Sequence, residues 1–327
     1  MITRGHLDLP TLDQVEAAAG LIRGVLLPTP QINWPLLSAR CGAQLWVKHE
    51  NHNPTGAFKV RGGLTYLADL KRRAPDAAGV VAATRGNHGQ SIALAAGRVG
   101  LPATIVVPHG NSLAKNAAIR GYGATLIEHG SDFDDALEYS KQLADEHRLH
   151  AVPTFHPMLV TGVATYALEL LRSIEDLHTV YVPIGLGSGI CGMIAMRDAL
   201  GLATRIVGVV AKGAPTYALS FARGEVVATA EANTIADGLA VRSPDPGALE
   251  IIRRGADRIV VVDDDEIRSA MNHLYADTHN LAEGAGAAAL AAALQEREII
   301  SGRRAAIVLT GSNVDREKYL QAIGGGA

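Results

Sequence analysis

Cysteine is almost missing from this chain. Only Cys41 and Cys191 occur among 327 residues. They lie far apart, in apolar or glycine-rich surroundings, so a disulfide framework is excluded and two free, buried thiols are expected. Aromatic side chains make up only 4% of the sequence, against 35 glycines. Valine, alanine and glycine must therefore build the interior, as in tightly packed α/β layers. No apolar run approaches the ~20 residues needed to span a bilayer, so no membrane partner is expected. No stretch concentrates lysine and arginine, and the formal net charge is −3, which argues against a nucleic-acid partner. The polar segment Met1 to Asp13 lacks the basic start and apolar run of a signal peptide. With the free thiols, this predicts a cytoplasmic protein. The 12 histidines show no zinc-type spacing.

The chain does contain alternation. Short apolar runs at Val80–Ala83, Ala103–Val107 and Thr125–Glu128 read as buried strands. Helical patterns at Gln90–Val99, Leu113–Arg120 and Asp132–Glu146 follow them. The second half repeats the theme, with strands expected at Val180–Ile184, Ile206–Val210, Ile259–Val262 and Ala305–Leu309. Gln44–Lys48 alternates like a strand, a polar loop follows over Glu50–Gly56, and a helical pattern begins at Ala57. Thr11 reads as a helix cap, and so does Asp263 in Asp263-Asp264-Asp265. Repeated βαβ units of this kind predict parallel sheets. After the last strand only a short helix precedes Ala327, so no appended regulatory domain is expected.

Four segments carry chemistry. In Pro54-Thr55-Gly56-Ala57-Phe58-Lys59-Val60-Arg61-Gly62, Lys59 stands at the first turn of a helix. A lysine there is either an ordinary surface residue or, if desolvated, an amine of lowered pKa able to form a Schiff base. Thr84-Arg85-Gly86-Asn87-His88-Gly89-Gln90 follows a strand and opens a helix, where backbone N–H groups can bind a carboxylate. Gly185-Leu186-Gly187-Ser188-Gly189 has the same placement and suits a phosphate, although a glycine loop alone is equally an unliganded turn. Thr310-Gly311-Ser312-Asn313 ends the last strand, at the edge where parallel sheets bind ligands. Amine, carboxylate site, phosphate cup and strand-end hydroxyl are together what pyridoxal 5′-phosphate (PLP) requires.

These motifs, with Ala236-Asp237-Gly238, Glu283-Gly284-Ala285-Gly286 and Gly311-Ser312-Asn313-Val314-Asp315 in order, resemble the fold-type II PLP enzymes. Within them the chain is similar to the threonine/serine dehydratase and serine racemase branch. The resemblance implies a two-domain α/β fold like the tryptophan synthase β chain, with the cofactor between parallel-sheet domains. The large domain would span 1–52 and 150–327, and the small one 53–149. Lys59 would carry PLP and act as the catalytic base, with Phe58 packed near the ring. Asn87 would bond the 3′-oxygen, Gly185 to Gly189 would cup the phosphate, and Thr310 would face the pyridine nitrogen. Thr84, Arg85, Gly86, Asn87 and His88 would receive the substrate. The implied reaction is loss of the β-hydroxyl from a small 3-hydroxy amino acid, L-threonine or L-serine by default, giving a 2-keto acid and ammonia. A homodimer is the family's habit.

Several positions depart from the pattern. Arg85 stands where relatives carry a small residue, or the serine that serves a racemase as acid/base. A permanently charged guanidinium argues against racemisation. It could instead read the substrate's α-carboxylate or a second acidic group such as that of 3-hydroxyaspartate, or it could turn to solvent. Leu186 and Ser188 replace glycines of the cup. Val152, Thr154 and Gly162-Val163-Ala164-Thr165 differ at the expected mouth, leaving room for a larger substrate such as phenylserine. Val210 and Thr216 fall where some relatives place cation-binding carboxylates, so no metal is expected.

Overall fold

The computed structural model describes residues 9–324. The reading of the extreme N-terminus as free of a signal peptide falls largely on residues 1–8, outside the described residues. Among the described residues, ten strands form two sheets: β1 (Gln31–Asn33), β2 (Gln44–His49), β3 (Val80–Ala83), β4 (Ala103–Val107), β5 (Thr125–Glu128), β6 (His150–Ala151), β7 (Thr179–Pro183), β8 (Arg205–Ala211), β9 (Arg258–Val262) and β10 (Arg304–Leu309). The larger sheet has the order β1-β2-β10-β7-β8-β9, and the smaller β5-β4-β3-β6. All pairs are parallel except β1 with β2, where Ile32 faces Val47. Only residues 34–43 join those two strands, and a parallel crossover needs about a dozen or more.

The expected boundary at residues 149/150 cuts through the small sheet and needs correction. His150–Ala151, assigned to the large domain, pairs in parallel with β3. His150 N–H donates to the Gly79 carbonyl and Val152 N–H to that of Val81, so the small sheet claims its fourth strand from beyond the boundary.

The core follows the composition. Helix Gly284–Gln295 buries Gly284 through Ala293 and packs across β7 to β10, its methyl side chains allowing a close approach to the sheet. Asp263 and Thr11 cap their helices, each in a reciprocal capping box. Cys41 and Cys191 are buried free thiols. No helix of the described residues is long and apolar enough to cross a membrane.

One buried ionic cluster ties the lysine segment to the large sheet. Arg61, on helix Lys59–Arg73, is fully buried. Its Nε donates to Glu50 Oε2 at 2.8 Å and its Nη1 to Glu169 Oε1 at 2.7 Å. Lys48 Nζ also donates to Glu169, and Thr29 Oγ1 to Glu50 at 2.6 Å. Burial opposes ionisation of Glu50, yet Arg61 and Lys48 hold its carboxyl below the usual range. Two cations therefore face two carboxylates. Removing one partner leaves a buried charge uncompensated, which costs about 3–5 kcal/mol. Arg61→Leu is expected to lower unfolding free energy by that amount in urea titration; a loss below about 1 kcal/mol would show that the cluster is not a structural anchor.

Candidate active site

Lys59 opens its helix two residues later than the apolar pattern suggests. The reason is tertiary. Ala57 forms an antiparallel bridge with Gly311, and Phe58 N–H donates to the Thr310 carbonyl at 3.0 Å. Ser312 N–H donates to the Gly56 carbonyl at 2.9 Å, and Asn313 Nδ2 to that of Thr55 at 2.8 Å. The residues before Lys59 are thus stitched to the end of β10. Behind Lys59, Ser91 Oγ donates to its carbonyl at 2.7 Å. Burial pushes the Lys59 amine below its ordinary pKa, opposed by Glu283. The side chain faces a cleft of about 610 Å³ that also reaches Thr84, Asn87, His88, Leu186 and Gly238.

The glycine segment is only partly a loop. Helix Ser188–Ala199 starts inside the motif, so Ser188 and Gly189 form its first turn. Gly187 adopts φ +100°, and no side chain caps the helix. Its first N–H groups therefore lack protein partners, as at an anion site. A Cβ on Gly185 would lie 2.5 Å from the Gly238 carbonyl oxygen, so Gly185 and the Ala236-Asp237-Gly238 motif meet backbone to backbone. Phe58 lies against this segment and stacks edge-on to Tyr166, with centroids 6.1 Å apart. Thr310 is buried, and its hydroxyl makes no hydrogen bond among the described residues.

In the substrate turn, helix Asn87–Arg98 starts three residues early. Thr84 Oγ1 causes this by accepting from Gly86 N–H at 2.9 Å and Gly89 N–H at 3.2 Å. Thr84 thus shapes the turn, and the N–H groups of Asn87 and His88 are left unbonded at its helix end. Asn87 is already engaged: Nδ2 donates to Glu283 Oε1 at 2.6 Å, and Oδ1 accepts from Asn313 Nδ2 at 2.8 Å. One amide hydrogen remains for a ligand. Buried His88 Nε2 has no partner among the described residues, and burial, with Lys59 adding to it, pushes that imidazole down to about 3. Arg85 is exposed on the cleft and pairs with no carboxylate among the described residues.

Some cleft residues carried no role in the sequence reading. Glu283 opens the motif Glu283-Gly284-Ala285-Gly286. It is buried, and burial pushes its carboxyl up. Lys115 reaches Asp237 at 3.4 Å, and Arg242 pairs with Asp132 and Asp134. Both contacts join the small-sheet side of the cleft to the large-sheet side. No local pattern marks them, because their partners are remote in sequence. Val210 and Thr216 are buried and carry no carboxylate, and no cluster of metal-ligating side chains occurs among the described residues.

A desolvated amine, an uncapped helix start and the orphaned His88 nitrogen, all around one cleft, fit a phosphate-bearing aldehyde. A family model described as pyridoxal-phosphate dependent enzyme matches residues 22–311. The chain belongs to the pyridoxal-phosphate dependent enzymes. It is 33% identical to an L-threonine ammonia-lyase of Thermotoga maritima, over 93% of this chain and 76% of that protein. It is 34% identical to an L-threo-3-hydroxyaspartate ammonia-lyase of Saccharomyces cerevisiae, over 97% of both chains. Its structure is similar to that of maize serine racemase, with a TM-score of 0.90 at 29% identity, covering 97% of this chain and 98% of that one. The α/β fold is therefore that of fold-type II, and this PLP enzyme is a lyase in its class of chemistry.

The buried histidines predict an acid response. A base whose folded pKa is depressed contributes stability that is complete above its unfolded value and lost as pH falls. His88 goes from 6.5 to about 3, so this loss begins near pH 6.5. By pH 5 it amounts to about 2 kcal/mol. Unfolding free energy measured between pH 7 and 5 should fall less steeply in His88→Gln than in the natural chain; equal slopes would contradict the assignment.

Proposed function

We propose that this PLP enzyme removes the β-hydroxyl of a 3-hydroxy amino acid, with L-threonine or L-serine as the default members of that class, and releases a 2-keto acid and ammonia. The observation that carries the reading is the burial-lowered amine of Lys59 on the same cleft as the unbonded N–H groups of Asn87 and His88. Its similarity to an L-threonine ammonia-lyase supports it.

Bound PLP supplies an electron sink for the charge that develops at Cα. The protein's own residues divide the remaining work. Gly185 to Gly189 would hold the cofactor phosphate at the helix start, Phe58 would pack beside the ring, and the Thr310 hydroxyl would face the pyridine nitrogen. A neutral hydroxyl there, unlike a carboxylate, would not favour protonation of that nitrogen, which suits elimination over transamination. The N–H groups of Asn87 and His88 take the substrate carboxylate, helped by the helix dipole. The remaining amide hydrogen of Asn87 would serve the ring oxygen. Burial disfavours the ammonium form of Lys59, which suits its amine to take the Cα proton. Burial disfavours the ionised form of Glu283, and its Oε1 accepts from Asn87 Nδ2, so the carboxyl orients the amide beside the cofactor site.

This reading carries a homodimer with it, for which exposed Leu27 and Leu36 offer apolar surface. The two free thiols suit a reducing compartment such as the cytoplasm.

Purified protein supplied with PLP is expected to release keto acid from L-threonine or L-serine. Lys59→Ala should lose both this turnover and the absorbance of bound cofactor. Undiminished turnover in the variant would remove Lys59 from the mechanism.

A further inference from the structure

The cleft offers more cationic reach than a neutral side chain uses. Four cations line it: Lys59, Arg85, Lys115 and Arg242. Lys59 is the reacting amine. Lys115 packs along Gly86, where an added Cβ would meet its Cδ at 2.6 Å, and its ammonium points to Asp237. Arg242 is held between Asp132 and Asp134. Arg85 alone among these four has neither a carboxylate partner among the described residues nor a place in the elimination. It stands at the turn that presents the N–H groups of Asn87 and His88, one residue before Gly86.

An amino acid with a neutral side chain brings one carboxylate. The helix start already provides a dock for one. A guanidinium beside that dock, open to the cleft, supplies a second anion site with a planar fork that matches a carboxylate. We propose that Arg85 is a specificity residue that binds a side-chain carboxylate. The cleft then favours a 3-hydroxy amino acid whose side chain ends in an acid over L-threonine and L-serine. This rests on the ammonia-lyase reading and narrows its substrate class. The backbone N–H groups hold the α-carboxylate, and Arg85 holds the distal one.

The test compares the holoenzyme with Arg85→Ala and Arg85→Lys. Keto-acid release is measured from the 3-hydroxyaspartate diastereomers and from L-serine. Binding of succinate and of butyrate, neither of which can react, is followed by calorimetry. The ratio of kcat/KM for the diacid over L-serine is expected to fall roughly tenfold or more in Arg85→Ala, the weight of one charge-assisted contact. The change should lie mainly in KM, and the succinate-to-butyrate affinity ratio should fall with it. Arg85→Lys should recover part of both, because it restores the charge without the fork. Equal losses for diacid and L-serine would assign Arg85 to the α-carboxylate and overturn the proposal. Unchanged ratios would leave Arg85 a solvated side chain and also overturn it. A natural chain that turns over no hydroxy amino acid, yet binds succinate through Arg85, would sink the lyase reading and leave the second anion site standing.

Discussion

Arg61 carries a permanent charge into a region that water does not reach, and its counter-charges come from distant parts of the chain. Glu50 follows β2, and Glu169 lies on helix Pro157–Ser173. A buried guanidinium is tolerable only when its carboxylates stand in place, so the three segments must assemble together. Lys59 is two residues away on the same helix. Fixing Arg61 therefore fixes the depth and orientation of the helix start that presents the amine. The backbone bonds from residues 55–58 to the end of β10 complete this frame from the other side.

The cleft itself is spanned by weaker links. Arg242 with Asp132 and Asp134, and Lys115 with the half-exposed Asp237, cross from one sheet's side to the other. Ion pairs open to solvent contribute little, so separating them costs little. The buried frame around Lys59 costs far more to disturb. The molecule thus combines a rigid seat for the amine with a mouth held by contacts that water can replace. Such a division suits an enzyme that must admit a charged amino acid and then exclude solvent.

Much of the architecture was legible in the chain. Val80–Ala83, Ala103–Val107 and Thr125–Glu128 form strands over the residues expected, since short apolar runs between amphipathic helices leave few alternatives. Helix Asn87–Arg98 starts three residues before the apolar pattern, because Asn87 and His88 add nothing to that pattern and the Thr84 hydroxyl sets their helical state. Strands β1 and β6 are too short to show alternation and exist only through their neighbours.

By itself, the sequence determined the class of fold and the cofactor, because contiguous motifs encode how a chain turns from strand to helix. Tertiary structure decided the rest. Glu283 meets Asn87, Arg61 meets Glu50 and Glu169, and Arg85 is left open on the cleft without a carboxylate. These are relations between residues remote in the chain. Burial, which disfavours the charged forms of Lys59, Glu283 and His88, arises only when separate segments have closed over them.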